Sequence, residues 1–304
     1  MADLLPSWND GPGRQAILDF IARVTTQGGP DYVAPADRIA TFDNDGTLWS
    51  EAPLQVQVFF LADRVKALAA EDPSLKGRQP FKAFLEHDLK TLHSLGMQAV
   101  QELFAATHAG MLQEEFEEIV HKWFAAATHP KFARPFNRVT FKPQFELLGY
   151  LRDNGFRTFI VSGGGVDFMR VISEQAYGID RADVVGSSGK LKYEVRDSRV
   201  VLVKLGELGS FDDRETKVQN IGLHIGRRPI FVFGNSDGDL AMMRYAKTGG
   251  GARLALLLHH DDAEREAAYD RDFHLSPLRE ALDKAGDYGI QVVSMKRDWK
   301  TVFS

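Results

Sequence analysis

Two carboxylates, Asp43 and Asp45, lie one residue apart in the segment 42–48, which reads Phe-Asp-Asn-Asp-Gly-Thr-Leu. At the end of a strand, this spacing lets the two side chains lie close together while their backbones point differently, so they can take unlike chemical roles. A carboxylate that approaches a phosphate group is repelled by it, and a bound divalent cation can offset that repulsion while polarising the phosphoryl group. Mg²⁺ suits a site of oxygen ligands that keeps several waters. The pair therefore indicates magnesium-assisted phosphoryl chemistry.

Three glycine-bearing segments each follow a predicted strand, and they span residues 43–47, 162–165 and 234–239. In an open parallel sheet the ligand site lies outside the carboxyl ends of the strands, so we expect these segments to converge although they are far apart in sequence. A single Asp-Gly or Gly-Gly step is usually an ordinary turn. The prediction of a pocket therefore depends on the three segments together.

The strands themselves predict an α/β core. Four short apolar runs are typical of buried strands in one parallel sheet, at residues 38–42, 158–161, 230–233 and 254–258. Helical patterns alternate with them, beginning with an apolar stripe from Ile17 to Val24. We expect a Rossmann-like parallel sheet with helices, and a β-hairpin that turns at Asp197-Ser198.

A long helical pattern interrupts this alternation. Apolar residues recur at helical spacing between Leu54 and Ala127, and Pro130 and Pro135 end the pattern. We place a helical cap at residues 51–134, inserted into a core formed by residues 1–50 and 135–304.

Composition narrows the class of protein. The chain has 304 residues, a formal net charge of -5 and no cysteine, so a basic nucleic-acid-binding face, a disulfide framework and a thiol nucleophile are not expected. No apolar run approaches the ~20 residues that span a bilayer, and the first residues lack a basic region followed by an apolar one. We expect a soluble cytoplasmic protein without a nucleic-acid or membrane partner, or a periplasmic one if a signal peptide has been trimmed. Its oligomeric state stays open.

The motifs resemble those of the haloacid dehalogenase (HAD) superfamily. Asp43-Asn44-Asp45-Gly46-Thr47 is similar to its first motif in the phosphatase form, and Val161-Ser162-Gly163-Gly164 is similar to the second. Lys217 lies where the third-motif lysine is expected, and the segment 234–239 resembles the fourth motif. The inserted helices resemble the type-1 cap of phosphoserine phosphatase-like members.

This resemblance implies a role for each matched residue. Asp43 would be the nucleophile that forms an aspartyl-phosphate, and it would also bind Mg²⁺. Asp45 would act as general acid and then general base, with its backbone carbonyl on the metal. Thr47, Ser162, the N–H near Gly163 and Lys217 would bind the phosphate.

The fourth motif departs from the commonest pattern, because Asn235 lies where many members have a metal-binding aspartate. An amide oxygen can still coordinate, but the substitution removes one negative charge and leaves Asp239 to compensate. Asp237 lies close enough to be the ligand instead. The sequence leaves these three alternatives open.

Other residues allow two interpretations each. Lys204 competes with Lys217 but lies in the predicted hairpin, and the cluster 259–262 fits a strand end with Asp262 as helix N-cap better than a metal site. Glu51 and Gln55 follow the first motif and could contact the substrate, although an exposed Glu is also common at a helix start.

The function expected from these residues is hydrolysis of a small phosphorylated metabolite. A phosphotransferase or a phosphonatase could use the same nucleophile, and a catalytically silent phosphometabolite-binding protein could keep the same fold. The sequence does not identify the substrate.

Overall fold

The computed structural model describes residues 4–303. The helices are α1 Pro12–Thr25, α2 Val56–Glu71, α3 Phe81–Leu85, α4 Leu89–Leu95, α5 Met97–His108, α6 Gln113–Ala126, α7 Lys142–Asp153, α8 Val166–Arg170, α9 Ser173–Tyr177, α10 Glu215–Asn220, α11 Leu240–Lys247, α12 Glu280–Lys284 and α13 Met295–Asp298. The strands are β1 Ile39–Phe42, β2 Thr128–His129, β3 Arg134–Pro135, β4 Arg157–Gly165, β5 Val184–Arg196, β6 Arg199–Ser210, β7 Phe231–Gly234, β8 Leu254–Asp261, β9 Ala268–Tyr269 and β10 Gln291–Ser294.

The central sheet has the strand order β10-β8-β7-β1-β4-β5-β6. All neighbours from β10 to β5 are parallel, β6 is antiparallel to β5, and β9 pairs antiparallel with the C-terminal end of β8. The expected α/β fold with a parallel sheet is therefore confirmed. Because β1, β7 and β4 are neighbours, the segments that follow them lie side by side at one end of the sheet.

The core lies on both faces of this sheet, as expected for parallel strands that are covered by helices. Along β7, Phe231 and Phe233 belong to one apolar cluster and Val232 belongs to a second. This alternation follows from the two-residue period of a strand. The first cluster includes the buried face of α1, and the second includes Met242 and Met243 of α11.

Helices α2 to α6 and strand β2 lie within residues 51–134, a segment that we call the helical insertion. Strand β3, which pairs with β2, ends one residue beyond it. A small apolar cluster of its own contains Val65, Leu75 and Leu103. Phe60 and Phe116 instead join the main cluster, where Phe60 packs on Phe168 of α8. The insertion is thus anchored on the sheet domain, while the exact boundaries of core and cap stay a prediction.

The predicted hairpin is present as β5 and β6, and it turns at Asp197 and Ser198, whose φ values are 48° and 63°. Two consecutive positive φ angles are typical of the two-residue turns whose twist matches that of a hairpin. The hairpin extends past the sheet and lies against α5, where Ala105 approaches Gly206 so closely that a Cβ at Gly206 would lie 2.9 Å from the Ala105 Cβ. Within residues 4–303, no helix is long and apolar enough to cross a membrane.

Two local differences from the sequence-based expectations have physical causes. Strand β4 continues through the glycines to Gly165, because a bulge between Ser162 and Gly165 lets the chain stay paired with β5. The residues around Pro130 and Pro135, which were expected only to end the helical pattern, include the antiparallel β2–β3 pair.

Candidate active site

Asp43 begins the loop that follows β1, at the centre of the sheet. Its backbone N–H donates to the carbonyl of Phe233 at 3.0 Å, so the sheet pairing with β7 continues into the first residue of the loop. The chain then turns tightly, because the carbonyl of Asn44 accepts from Thr47 N at 3.1 Å and Leu48 N at 2.8 Å. Asp43 and Asp45 are consequently held at the carboxyl end of β1, both of them buried.

Lys217 reaches this loop from α10 and lies between two carboxylates. Its Nζ donates to Asp43 Oδ1 at 2.7 Å and to Asp239 Oδ1 at 2.6 Å, and all three side chains are buried. Helix α10 precedes β7, so it can place its lysine at the same end of the sheet as the β1 loop. The structure therefore brings together the residues that were matched to the first, third and fourth motifs.

The charges of this trio are strongly coupled. Burial works against a charged lysine, but the Asp239 and Asp43 carboxylates outweigh it and raise the pKa of Lys217. Burial and the neighbouring Asp239 carboxylate also raise the pKa of Asp43 well above its ordinary value, against the opposing effect of Lys217. An additional cation beside Asp43 would favour its ionised form.

Asp45 lies in a different environment from Asp43, although only one residue separates them. Its Oδ1 accepts a hydrogen bond from Trp49 Nε1 at 2.8 Å. Burial raises the pKa of Asp45 to about 6, against the lowering effects of the Trp49 hydrogen bond and the Lys217 charge. A carboxyl with a pKa near 6 can both donate and accept a proton close to neutral pH, which suits a general acid and base.

Thr47, Asn235 and Glu51 form a buried chain of hydrogen bonds. The Thr47 hydroxyl donates to Asn235 Oδ1 at 2.9 Å, and Asn235 Nδ2 donates to Glu51 Oε1 at 2.8 Å. Tyr269 of β9 donates to the same Glu51 oxygen at 2.9 Å. Thr47 therefore contacts the fourth-motif loop, and a direct contact with phosphate stays a prediction.

The expectation that Glu51 is exposed at a helix start is wrong. Helix α2 begins five residues later at Val56, and Glu51 is fully buried beneath the loop. Burial raises the pKa of Glu51 to about 7, against the hydroxyls of Ser276 and Tyr269 and the charge of His260. Gln55 is partly buried and precedes the first turn of α2, and its contact with substrate stays a prediction.

Gly46 makes this arrangement possible. Its φ is +73°, a region that favours glycine, and a Cβ at this position would lie 2.2 Å from Asn235 Nδ2 and 2.3 Å from Glu51 Oε1. No side chain can therefore occupy position 46 without displacing the Asn235–Glu51 pair. This glycine is required both by the turn and by the close approach of the two side chains.

The three fourth-motif candidates occupy distinct environments. Both oxygens of Asp239 bind donors of the chain: Oδ1 accepts from Lys217, and Oδ2 accepts from the N–H groups of Asn235 and Ser236 at 2.9 and 3.0 Å. Asp237 points towards α12, where its Oδ1 accepts from Ala281 N at 2.8 Å. Asn235 is the one of the three whose side-chain oxygen faces the Asp43–Thr47 loop.

Ser162 and Gly163 lie at the end of β4, beside the β1 loop. Ser162 is buried, and its hydroxyl accepts a long hydrogen bond of 3.4 Å from Gly164 N. A Cβ at Gly164 would lie 3.6 Å from Asp45 Oδ2, which places the glycine strand against the second carboxylate. The helix that follows, α8, has only five residues, so the donors available here are those of the bulged strand.

Gln57 was missed by the sequence analysis, which named Gln55 instead. The Gln57 side chain extends from the first turn of α2 and accepts from Gly165 N at 2.7 Å. The helical insertion thereby contacts the glycine strand directly. Only the register of α2 decides which glutamine faces the site, and no sequence signal distinguishes the two.

A second missed group supports the loop from below. His260 of β8 binds the Gly46 carbonyl through Nε2 at 2.7 Å and Glu266 through Nδ1 at 3.1 Å, and Glu266 also accepts from the Ser50 hydroxyl. His260 thus binds groups of the protein, and these contacts fit the strand-end interpretation of residues 259–262 that the sequence analysis preferred over a metal site. Asp262 accepts from Arg265 N at 3.1 Å, but it caps a turn rather than the expected helix.

Lys204, the alternative to Lys217, lies away from the Asp43–Thr47 loop. It is buried between the hairpin and α8, where it pairs with Asp167 and lies 4.8 Å from the Phe116 ring centroid. Its cation therefore joins the hairpin to the core and to the insertion.

The oxygen donors at this site fit a hard divalent cation. Asp43, Asp45 and Asp239 are buried carboxyls beside the buried ammonium of Lys217, and the pKa values of Asp43 and Asp45 are raised, so a cation placed here would favour their ionised forms. Among the described side chains, which do not include those of Leu89 and His93, no three His, Cys, Asp or Glu converge so that they could hold a metal ion by themselves. An amide and a backbone oxygen would have to complete the ligand set, and Mg²⁺ accepts both.

Comparison with known proteins identifies a family that matches this chain. The family model for haloacid dehalogenase-like hydrolases matches residues 40–244. A search of curated proteins gave no significant match.

Several solved structures resemble the chain. A conserved protein of unknown function from Anaerococcus prevotii is 18% identical with a TM-score of 0.56, over 92% of this chain and 91% of that one. A protein of unknown function from Bordetella pertussis is 17% identical with a TM-score of 0.52, over 84% of this chain and 97% of that one. A phosphoserine phosphohydrolase-like protein from Francisella tularensis is 17% identical with a TM-score of 0.42, over 82% and 98%. The first two share the fold of this chain.

Proposed function

Because the chain belongs to the haloacid dehalogenase-like hydrolase family, we propose that it is a magnesium-dependent phosphatase that hydrolyses a small phosphomonoester through an aspartyl-phosphate on Asp43. The single observation that carries this proposal is the buried contact of Lys217 with Asp43 at 2.7 Å, at the carboxyl end of the central strand β1. A nucleophile that must approach a phosphate dianion needs a fixed positive charge beside it, and Lys217 provides that charge.

In the first step, a carboxylate oxygen of Asp43 attacks phosphorus and the bond from phosphorus to the ester oxygen breaks. The departing oxygen takes the proton of Asp45, whose pKa of about 6 leaves a protonated fraction near neutral pH. The phosphoryl group then resides on Asp43, and the alcohol product is free to leave.

In the second step, water attacks the phosphorus of the aspartyl-phosphate. Asp45, now ionised, takes a proton from this water, and the bond between phosphorus and the Asp43 oxygen breaks. Inorganic phosphate leaves, and Asp43 and Asp45 return to their starting states. The Trp49 hydrogen bond keeps Asp45 in one orientation during both transfers.

The residues that would hold Mg²⁺ are the Asp43 carboxylate, the Asp45 carbonyl and the Asn235 Oδ1. When bound, the ion would polarise the phosphoryl group and offset the repulsion between Asp43 and phosphate. We leave Asp239 out of this set, because both of its oxygens bind Lys217 and the loop N–H groups.

We propose that the helical insertion acts as the cap that excludes water and selects the substrate. Gln57 supports this role, since it connects α2 to Gly165 at the edge of the site. A substrate that uses the Gly165 N–H would have to displace this glutamine, which would couple substrate binding to movement of α2.

Substitution of Asp43 by Asn tests the proposal. We expect D43N to lose at least ~10³-fold in magnesium-dependent hydrolysis of p-nitrophenyl phosphate, because an amide cannot form the phosphoryl intermediate. The matched control is D10N, at an exposed aspartate whose side chain pairs with Arg14, and it should keep wild-type activity.

Turnover retained by D43N would contradict the proposal. If D43N is inactive, a panel of amino-acid, amino-alcohol and sugar phosphates is assayed with the wild-type protein for phosphate release, with Mg²⁺ and with EDTA, to identify the substrate class. Binding of a panel member by the wild-type protein without any turnover would favour the phosphometabolite-binding alternative.

A further inference from the structure

The contact between Asn235 and Glu51 is unusual because it places a buried carboxylate directly behind the fourth-motif amide. Glu51 Oε1 accepts from Asn235 Nδ2 at 2.8 Å, and both side chains are about 1% exposed or less. Glu51 follows the first motif in sequence, but among the described residues it makes no hydrogen bond to the 43–47 loop; the hydroxyls of Tyr269 and Ser276 lie beside it.

The chemistry of the two groups determines which way the amide faces. Glu51 Oε1 accepts from the Tyr269 hydroxyl as well as from Asn235, so the end of the Asn235 side chain that meets it is the NH₂ group. The Oδ1 atom must then lie on the opposite side, where it accepts from the Thr47 hydroxyl at 2.9 Å. Without Glu51, the two ends of the amide could exchange places.

Glu51 is itself held in place. Tyr269 donates to the same Oε1 at 2.9 Å, while Oε2 is buried and has no hydrogen bond of good geometry among residues 4–303. Gly46 lies directly against the pair, since a Cβ there would lie 2.3 Å from Glu51 Oε1 and 2.2 Å from Asn235 Nδ2. The contact is therefore built into the loop rather than formed by a mobile surface side chain.

We infer that Glu51 is a positioning residue for the cation site: its Oε1 fixes the Asn235 amide with Oδ1 towards the Asp43–Thr47 loop. This inference rests on the proposed function. Groups that orient a ligand from behind commonly tune metal affinity, and their loss costs about 10–100-fold.

Metal affinity without substrate tests the inference, because it requires no turnover. Free Mn²⁺ is followed by electron paramagnetic resonance during titration of the whole protein, and Mg²⁺ is then added as competitor. We expect E51M, which removes the acceptor oxygen that holds the Asn235 amide, to bind Mn²⁺ about 10–100-fold more weakly than wild type. The conservative variant E51Q keeps an acceptor oxygen and should bind Mn²⁺ within a few-fold of wild type.

Two controls separate positioning from folding. E146M makes the same replacement at a carboxylate that accepts from Ser7, and it should leave Mn²⁺ affinity unchanged. Thermal unfolding of each variant without metal reports whether the protein remains folded. A merely structural Glu51 would lower the midpoint in E51M without a change in the affinity of the folded protein.

The outcomes distinguish the two levels of the proposal. If wild type binds Mn²⁺ and Mg²⁺ and E51M binds them equally well, Glu51 has no positioning role and the inference is overturned while the phosphatase proposal stands. An E51Q variant as weak as E51M would also overturn it. Wild-type protein that binds neither ion would overturn both.

Discussion

At the residue scale, the one ammonium group of Lys217 compensates the charge of two buried carboxylates. Its hydrogen bonds of 2.7 Å to Asp43 and 2.6 Å to Asp239 leave each carboxylate dependent on the same cation. Removing one partner of a buried ion pair costs far more than the pair contributes, because the remaining charge is left without compensation. Lys217 should therefore contribute to stability as well as to the proposed activity, and both effects should appear in one variant.

We expect K217M to lower the free energy of unfolding by about 3–5 kcal/mol, since it leaves Asp43 and Asp239 buried without a cation. Urea denaturation measures this change. The control is K190M, which removes an exposed lysine paired with Glu207 at 2.7 Å and should cost about 0–1 kcal/mol. Equal midpoints for the two variants would show that Lys217 does not compensate these carboxylates.

At the element scale, β8 supports the catalytic loop of β1 across the intervening strand β7. The connection is His260, which binds the Gly46 carbonyl through one ring nitrogen and Glu266 through the other. Burial opposes protonation of this ring, but the hydrogen bond and charge of Glu266 outweigh burial and raise the pKa of His260. The protonated ring can donate at both nitrogens, so it satisfies both partners at once.

A raised pKa in the folded state gives the sign of the pH dependence. The stabilisation from His260 is fully present below the unfolded histidine pKa of about 6.5 and is lost as the pH rises through the higher pKa of the folded state. We expect wild type to exceed H260Q in unfolding free energy by about 1.5–3 kcal/mol at pH 6, with a smaller difference at pH 9. Urea denaturation at both pH values measures it, with H274Q at an exposed histidine as the control. A difference that grows with pH would reverse the assigned sign.

At the scale of the whole molecule, the β5–β6 hairpin and the helical insertion pack against each other outside the central sheet. Their junction contains Lys204 of β6 and His108 of α5, and the His108 ring stacks on Phe104 with centroids 4.1 Å apart. Burial, together with the Lys204 charge beside it, lowers the pKa of His108 to about 4. Protonation of His108 therefore weakens this junction.

His108 should make the protein sensitive to acid. Because its folded pKa lies below the unfolded value, the unfolded chain takes up the proton first, and stability falls as the pH drops from about 6.5 towards 4. Between pH 7 and pH 4.5, we expect the unfolding free energy of wild type relative to H108Q to fall by about 2–3 kcal/mol. Urea denaturation at both pH values tests this, and H121Q, an exposed histidine of α6, is the control. A wild-type-to-H108Q difference independent of pH would contradict the assigned shift.

Local patterns were enough to predict most elements of the fold. The buried strand runs, the hairpin turn at Asp197-Ser198 and the helical pattern after Leu54 all depend on residues that are neighbours in sequence, and all appear in the structure. The β2–β3 pair and the continuation of β4 to Gly165 were missed, because two-residue strands have no periodicity and a bulge depends on the partner strand.

The sequence by itself determined the family, the α/β core and the loop that carries Asp43 and Asp45, because adjacent strand ends of a parallel sheet must meet. Only the tertiary structure decided what lies around that loop. Asp237 turns towards α12, Glu51 turns inward onto Asn235, and His260 reaches Gly46 from β8. These contacts join residues as many as 214 positions apart. Sequence periodicity specifies which face of an element is buried, but the partner on that face is set by packing.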